Sequence, residues 1–166
     1  MYGPEGSCFE FNGFEVAKRF LDSYLSHKSV DLKRPTRCGT LLHCLVKCSY
    51  NLEAVQHFLA LKPEPQVLNF QDGNGWKAIH HAIACKCNDI VEYFIKEKGM
   101  NVNDMSAKKY LLQIAIANQN EDAIPCLVKE FTKQLNSTEC RELKKLLLTS
   151  FYDYQLAELA IKLINN

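Results

Sequence analysis

The chain lacks several features that would place it in a familiar class at once. No apolar run approaches the ~18–20 residues a membrane-crossing helix needs, so no membrane span is expected. No charge of one sign dominates. Lys and Arg number 20 against 19 Asp and Glu, a net +1, which disfavours a nucleic-acid partner or an acidic tail. There is no Gly-rich phosphate loop. No Ser/His/Asp or Cys/His/Asn set can be assembled on a shared geometric argument, so an enzyme, a cofactor and a small-molecule substrate are not expected. The start MYGPEGSCFEF has neither the basic opening nor the apolar core of a secretory signal.

What is present fits one domain with a sizeable core: 166 residues, 47% of them hydrophobic. Eight cysteines occur without a signal segment, which is simplest as reduced thiols in a cytosol-like compartment. The basic stretch Lys33-Arg34-Pro35-Thr36-Arg37 is either a solvated loop or an import or phosphate-contact patch, the first being the simpler reading.

A repeat emerges from paired apolar residues. Val16-Ala17 with Phe20-Leu21, Ala54-Val55 with Phe58-Leu59, and Ile90-Val91 with Phe94-Ile95 share one spacing. Ala123-Ile124 with Leu127-Val128 and Leu156-Ala157 with Ala160-Ile161 continue it. Positions i, i+1, i+4 and i+5 lie on one stripe of a helix. Successive starts differ by 38, 36, 33 and 33 residues. A shorter helix precedes three of these, holding Leu42-His43-Cys44-Leu45-Val46, Ile79-His80-His81-Ala82-Ile83 and Leu112-Gln113-Ile114-Ala115-Ile116. The turns Ser49-Tyr50-Asn51, Cys87-Asn88-Asp89 and Asn118-Gln119-Asn120 then supply residues that cap a following helix. Between copies lie turn-rich links, Asp72-Gly73-Asn74-Gly75 the clearest, with Lys62-Pro63-Glu64-Pro65 lengthening the first.

Helix, tight turn, helix and Gly-containing link at a period of 33 resembles the ankyrin repeat. The segment "DGNGWKAIHHAIACKCNDIVEYFIKEKGMNVN" is the best copy: Gly75, Lys77-Ala78-Ile79-His80 and Ile90-Val91 with Phe94-Ile95 match the family's Gly, Thr-Pro-Leu-His and Ile-Val-x-x-Leu-Leu positions. Gly99 and Val102-Asn103 match its closing Gly and Val-Asn. The Thr-Pro pair is absent, the first copy keeps Thr40-Leu41-Leu42-His43, and the third has Gln113 for the histidine. The resemblance implies an all-α solenoid of stacked helix-turn-helix units with short β-turn fingers. Its expected divisions are an N-terminal cap at 1–34 with an outer helix at about 14–26, repeats at 35–71, 72–104 and 105–137, and a degenerate capping repeat at 138–166. End copies must tolerate water on one side. Pro125, inside the third outer helix, implies a late start or a bend there.

Under this resemblance the reactive-looking residues divide. His43 and His80 are expected to be structural, bonding neighbouring backbone through their rings, with Gly75 and Gly99 as structural glycines. Cys44, Cys48, His81 and Cys85 occupy matching places in adjacent copies. They could form a zinc site if all pointed into one gap. The alternative is that Cys44 packs as a small apolar residue while Cys48 and Cys85 are exposed neighbours able to oxidise to a disulfide. No metal or other cofactor is assigned.

The family's concave groove, carried over copy by copy, would be lined by Thr36, Arg37, Gly39, Lys47 and Cys48, then Gly73, Asn74, Trp76, Ala84 and Cys85, then Ser106, Ala107, Lys109, Ala117 and Asn118. Trp76, the single tryptophan, either stands out as a binding anchor or folds its ring against the next link. The function so implied is a non-enzymatic protein-interaction module, an adaptor or stoichiometric inhibitor. It is expected to be monomeric and cytoplasmic, or nuclear, or in the host cytosol if viral. A narrower expectation follows from Leu68-Asn69-Phe70-Gln71, which is similar to a finger of the NF-κB inhibitor proteins: a mimic of those inhibitors that binds Rel-family transcription factors. A zinc- or thiol-dependent protein built on the 44/48/81/85 group is the alternative from another class.

Overall fold

The computed structural model describes residues 18, 19, 21–23, 26, 39–61, 65–96, 105–133 and 135–150, with isolated positions near the C-terminus. The chain divides into two compact units, residues 1–90 and 91–166. Among the described residues every regular element is a helix: α1 (Leu41–Ser49), α2 (Leu52–Ala60), a 3-10 turn (Pro65–Asn69), α3 (Ala78–Ala84), α4 (Asn88–Lys96), α5 (Met105–Ala117), α6 (Ala123–Thr132) and α7 (Ser137–Ser150). In the first unit α1 packs against its own partner α2 and against α3, the inner helix of the next copy. In the second unit α5 packs in the same way on α6 and on α7. The all-α, paired-helix expectation therefore holds.

The apolar stripe is where its spacing puts it. Ala54, Val55 and Phe58 are fully buried, as are Ile90, Val91 and Phe94, and Ala123, Ile124, Leu127 and Val128 repeat the pattern. Burying one such side chain contributes about 1.5–3 kcal/mol, and a two-helix unit alone has no second surface to bury it against. Val16 and Ala157, the first and last members of the series, lie outside the described residues, as do Thr36, Arg37 and Gly99. Leu21 is fully buried, and Asp22 beside it holds the His57 ring of α2 at 2.9 Å.

The turns repeat more strictly than the sequence does. Tyr50, Lys86 and Gln119 all have positive φ, at 47°, 59° and 52°. Each ends an inner helix in the left-handed conformation, where Gly is usual. The Cys87 and Asn120 N–H groups close the second and third turns on the Ala82 and Ala115 carbonyls, at 2.9 and 2.8 Å. Asn51 and Asn120 then cap the outer helices, accepting from the Ala54 and Ala123 N–H groups at 3.0 and 3.3 Å. In the second copy a cysteine, Cys87, stands at that place. The expected turn Cys87-Asn88-Asp89 is thus displaced: Asn88 and Asp89 already belong to α4, and Lys86 makes the reversal.

Two local departures matter. The helix α1 has nine residues and α3 seven, so the copies drift by a residue between the histidine and the turn. Counted from the histidine, Cys48 matches Cys85; counted back from the turn, Ser49 does. The larger departure is in the third copy. The helix α5 runs 13 residues from Met105, so its first two turns replace the link that the second copy forms at 72–77. Met105 to Tyr110 contains Ala and two Lys but no Gly, Asn or Asp, so nothing breaks the helix. Ser106, Ala107 and Lys109 are therefore helical and not finger residues. Gln113 is exposed in mid-helix, where no capping histidine is needed. Pro125 falls in the first turn of α6, where its missing N–H has no intrahelical acceptor, which is the late start that the sequence implies.

Lys86 has no side-chain reason to adopt its left-handed backbone, which costs a non-glycine residue about 1–2 kcal/mol. Lys86→Gly should raise stability by about 0.5–1 kcal/mol after the entropy penalty of glycine, measured by urea unfolding, whereas Lys86→Val should lower it. A Gly variant less stable than wild type would mean the lysine side chain contributes a contact that outweighs the strain.

Candidate functional site

The chemistry-bearing residues gather in the first unit around the link that precedes α3. Asp72 opens that link. Its N–H donates to the Trp76 carbonyl at 2.8 Å, and its own carbonyl accepts from Gly75 N–H at 2.9 Å. Gly75 sits at φ +78°, a turn position that its lack of Cβ makes easy. One oxygen of the Asp72 carboxylate, Oδ1, accepts from the Asn74 and Trp76 N–H groups at 2.9 and 3.0 Å. The other, Oδ2, takes the His81 Nε2–H at 2.8 Å and lies 3.5 Å from Lys47 Nζ. The carboxylate is 2% exposed. Burial works against its charge, but the Trp76 and Asn74 N–H groups and the His81 ring overcome that and hold its pKa down to about 2.

Three imidazoles surround this carboxylate, each committed to holding backbone or Asp72. His43 Nδ1 accepts from Thr40 N–H at 3.1 Å, capping α1, and its Nε2–H reaches across copies to the Trp76 carbonyl at 2.9 Å. His80 Nδ1 caps α3 in the same way, accepting from Lys77 N–H at 2.9 Å. Burial pushes all three histidines below the usual imidazole range, His80 to about 4. The Nδ1 atoms of His43 and His80 are thus both engaged in capping their own helices. Gly39, expected in the groove, is instead buried at φ +97°; a Cβ there would stand 2.7 Å from His43 Cγ and 3.0 Å from Asp72 Cβ.

Trp76 adopts neither expected extreme. Its indole is half-buried, with ring centroids 4.9 Å from His81 and 6.0 Å from His80. Beside it Gly73, Asn74 and Gly75 are exposed, Lys47 is half-buried, and Lys77 Nζ donates to Asn69 Oδ1 at 3.1 Å. The structure brings together Lys47, Gly73, Asn74 and Trp76 from the expected groove set. Leu68 to Gln71, the stretch similar to an NF-κB-inhibitor finger, straddles the end of the 3-10 turn and leads into Asp72.

Cys48 and Cys85 lie elsewhere. Trp76 precedes α3 and Cys85 follows it, so roughly 10 Å of helix separates them. The exposed Tyr50 phenol bonds Cys85, with Cys87 and Cys48 also near it. Cys85 keeps its proton more tightly than an ordinary thiol because it is buried; Cys87, buried and beside Cys85, is pushed up to about 12. Both are protonated, and so poor nucleophiles, at neutral pH. The zinc alternative finds no support: no group of three or more His, Cys, Asp or Glu among the described residues is placed to hold a metal ion. In the second unit Lys109 reaches Glu142 of α7 at 2.6 Å, and Asn118 Nδ2 donates to the Ile114 carbonyl at 2.8 Å, ending α5. The exposed face of α5 is instead Ala107, Tyr110, Gln113 and Ala117. Repeat register alone hid this by placing a finger where the helix runs on; the lack of Gly, Asn and Asp in 105–110 was the signal against it. Sequence reasoning also missed Asp72 as the centre of the site, although an Asp opening an Asp-Gly-Asn-Gly turn is the residue type that bonds the backbone two residues on.

The chain matches the family model described as ankyrin repeats (3 copies) over residues 8–106 and 42–139. No curated protein and no solved structure gives a significant match.

Two tests follow from this geometry. Gly39→Ala should cost at least about 2 kcal/mol, since it combines a positive φ with contact on His43 and Asp72; an unchanged urea midpoint would show that His43 can move aside. The second is pH. His80, lowered to about 4, contributes stability that is complete above its ordinary value of 6.5 and is lost as pH falls toward 4. Asp72, lowered to about 2, is complete above 3.8 and lost below it. Stability should therefore fall in acid in two stages. His80→Gln, which can still cap α3, should shrink the stage that begins near 6.5 without abolishing it, since the pKa values of His43 and His81 are lowered as well, and should leave the lower stage unchanged.

Proposed function

Because the chain belongs to the ankyrin-repeat family, we propose that it is a non-enzymatic protein-binding module whose working face is the link and inner-helix wall around Trp76. One observation carries this: the single indole is half-buried on His81 and flanked by the exposed Gly73, Asn74 and Gly75. A large ring already held in one orientation loses little freedom on binding, which is the property of an interface anchor. The histidines that could suggest catalysis are spent on helix caps, on the Trp76 carbonyl and on Asp72. Such a module acts by occupying its partner's surface, as an adaptor or a stoichiometric inhibitor working as a monomer in the cytosol. No helix among the described residues is long and apolar enough to cross a membrane. The Rel-family reading has no support beyond the four residues Leu68 to Gln71.

The test is affinity capture from a cell lysate with wild type and a Trp76→Ala/Asn74→Ala variant in parallel. Trp76→Ala alone should cost at least about 2 kcal/mol of partner affinity, while circular dichroism shows the helices retained. A partner captured equally by both proteins would move the binding face away from Trp76.

A further inference from the structure

Among the described residues, the acidic side chains of the first three copies are sorted by helix. The inner helices of the three full copies, α1, α3 and α5, contain no Asp or Glu. Each outer helix contains at least one: Glu53 in α2, Asp89 and Glu92 in α4, Glu130 in α6. A net charge of +1 conceals this division. In the first unit, residues 39–49 and 65–86 form the inner helices and the link between them, and they hold three lysines and one carboxylate. That carboxylate, Asp72, is 2% exposed; its oxygens are taken by Asn74, Trp76 and His81, and Oδ2 also pairs with the Lys47 ammonium at 3.5 Å. The cation beside it, Lys47, is 23% exposed, and Lys77 has its ammonium on the neutral amide of Asn69 across the base of the link. The wall's one acid is therefore sealed, while Lys47, which pairs with it, and Lys77 stay partly open to solvent. Between those lysines in the sequence lies the half-buried indole.

We propose that the wall formed by Lys47, Trp76 and Lys77 binds an acidic peptide segment of its protein partner, with an apolar residue of that segment on the indole and its carboxylates on the two ammonium groups. This rests on the interaction-module reading above and adds the chemistry of the partner. Charge complementarity of this kind sets specificity and association rate more than bulk affinity, so it should appear as strong salt dependence. Trp76 is also the reporter: its fluorescence reads occupancy of this face without a label.

The experiment is selection of a random twelve-residue peptide library, displayed on phage, against the immobilised full chain. Wild type, Lys47→Gln/Lys77→Gln and Trp76→Phe proteins are compared. The expected result is a wild-type pool enriched in Asp and Glu around an aromatic or aliphatic residue. Synthetic peptides from it should shift Trp76 emission, bind at least about tenfold more weakly to the double lysine variant, and weaken severalfold between 50 and 300 mM salt. The double variant loses the Lys47 partner of Asp72, so its urea midpoint should fall; Lys77→Gln alone leaves that pair intact, should keep the wild-type midpoint, and should still bind the peptides severalfold more weakly. A pool that shifts Trp76 emission but is neutral or basic overturns the acidic-partner inference and leaves the interaction module standing. Displacement of the acidic peptides by a short duplex DNA at matched charge also overturns it, since the wall would then be a general polyanion surface. A pool that binds without touching Trp76 emission overturns both.

Discussion

The imidazole of His43 joins two copies of the repeat with one ring. Its Nδ1 satisfies the Thr40 N–H that α1 would otherwise leave open, and its Nε2–H donates to the Trp76 carbonyl in the link of the next copy. Both bonds require the neutral ring with the proton on Nε2. The same carbonyl also accepts the Asp72 N–H, so the link is closed on itself and tied to the preceding helix at one atom. Gly39 is absent of side chain because this ring and Asp72 fill the space where a Cβ would go. Placement of Trp76, the pairing of Asp72 with His81 and the packing of α1 against α3 all follow from this junction. A polar junction of this sort is costly when half-made and rigid when complete, which suits a scaffold that must hold a surface in shape.

The same economy explains why so many reactive side chains are chemically quiet. Two adjacent histidines and two nearby cysteines at residues 80–87 look like a metal or catalytic group when read as a string. Folding separates them by role. His80 faces the N-terminus of its own helix, His81 turns to Asp72, and Cys85 and Cys87 end the helix around Lys86. Burial favours the neutral form of every one of them.

How much was legible beforehand varied with the physics involved. The outer-helix stripe was legible because four apolar residues at helical spacing have one way to be buried. The family resemblance drew attention to His43 and His80, whose Nδ1 atoms accept from the backbone N–H groups that open α1 and α3. Asp72 was not, because a side chain that bonds its own turn and a ring nine residues on leaves no periodic trace. The third copy was misread for a related reason. Its phase of 33 aligns Met105 to Tyr110 with a link, but phase does not fix conformation. A segment without Gly, Asn or Asp extends the helix it adjoins. Copying groove positions by register then assigned Lys109 and Asn118 to a binding face, whereas one pairs with Glu142 and the other closes its own helix.

That departure leaves the link geometry, among the described residues, to the second copy. A finger offers backbone turns, exposed glycines and one presented side chain; a helix in its place offers a regular surface with side chains at fixed angles. The second copy has the finger, the indole and the network that holds it, whereas α5 presents Ala107, Tyr110, Gln113 and Ala117. These are two chemically different surfaces, one a turn with an indole and lysines beside it, the other a helix face that shows an uncharged Tyr110 and Gln113 between alanines. Degeneration of a repeat need not weaken it as a structural unit: α5 still buries Leu111, Leu112 and Ala115 as its shorter counterpart α3 buries Ala78, Ile79 and Ala82. What the third copy has given up at residues 105–110 is the link conformation, and with it the histidine that in the second copy caps a helix starting about two turns later in register.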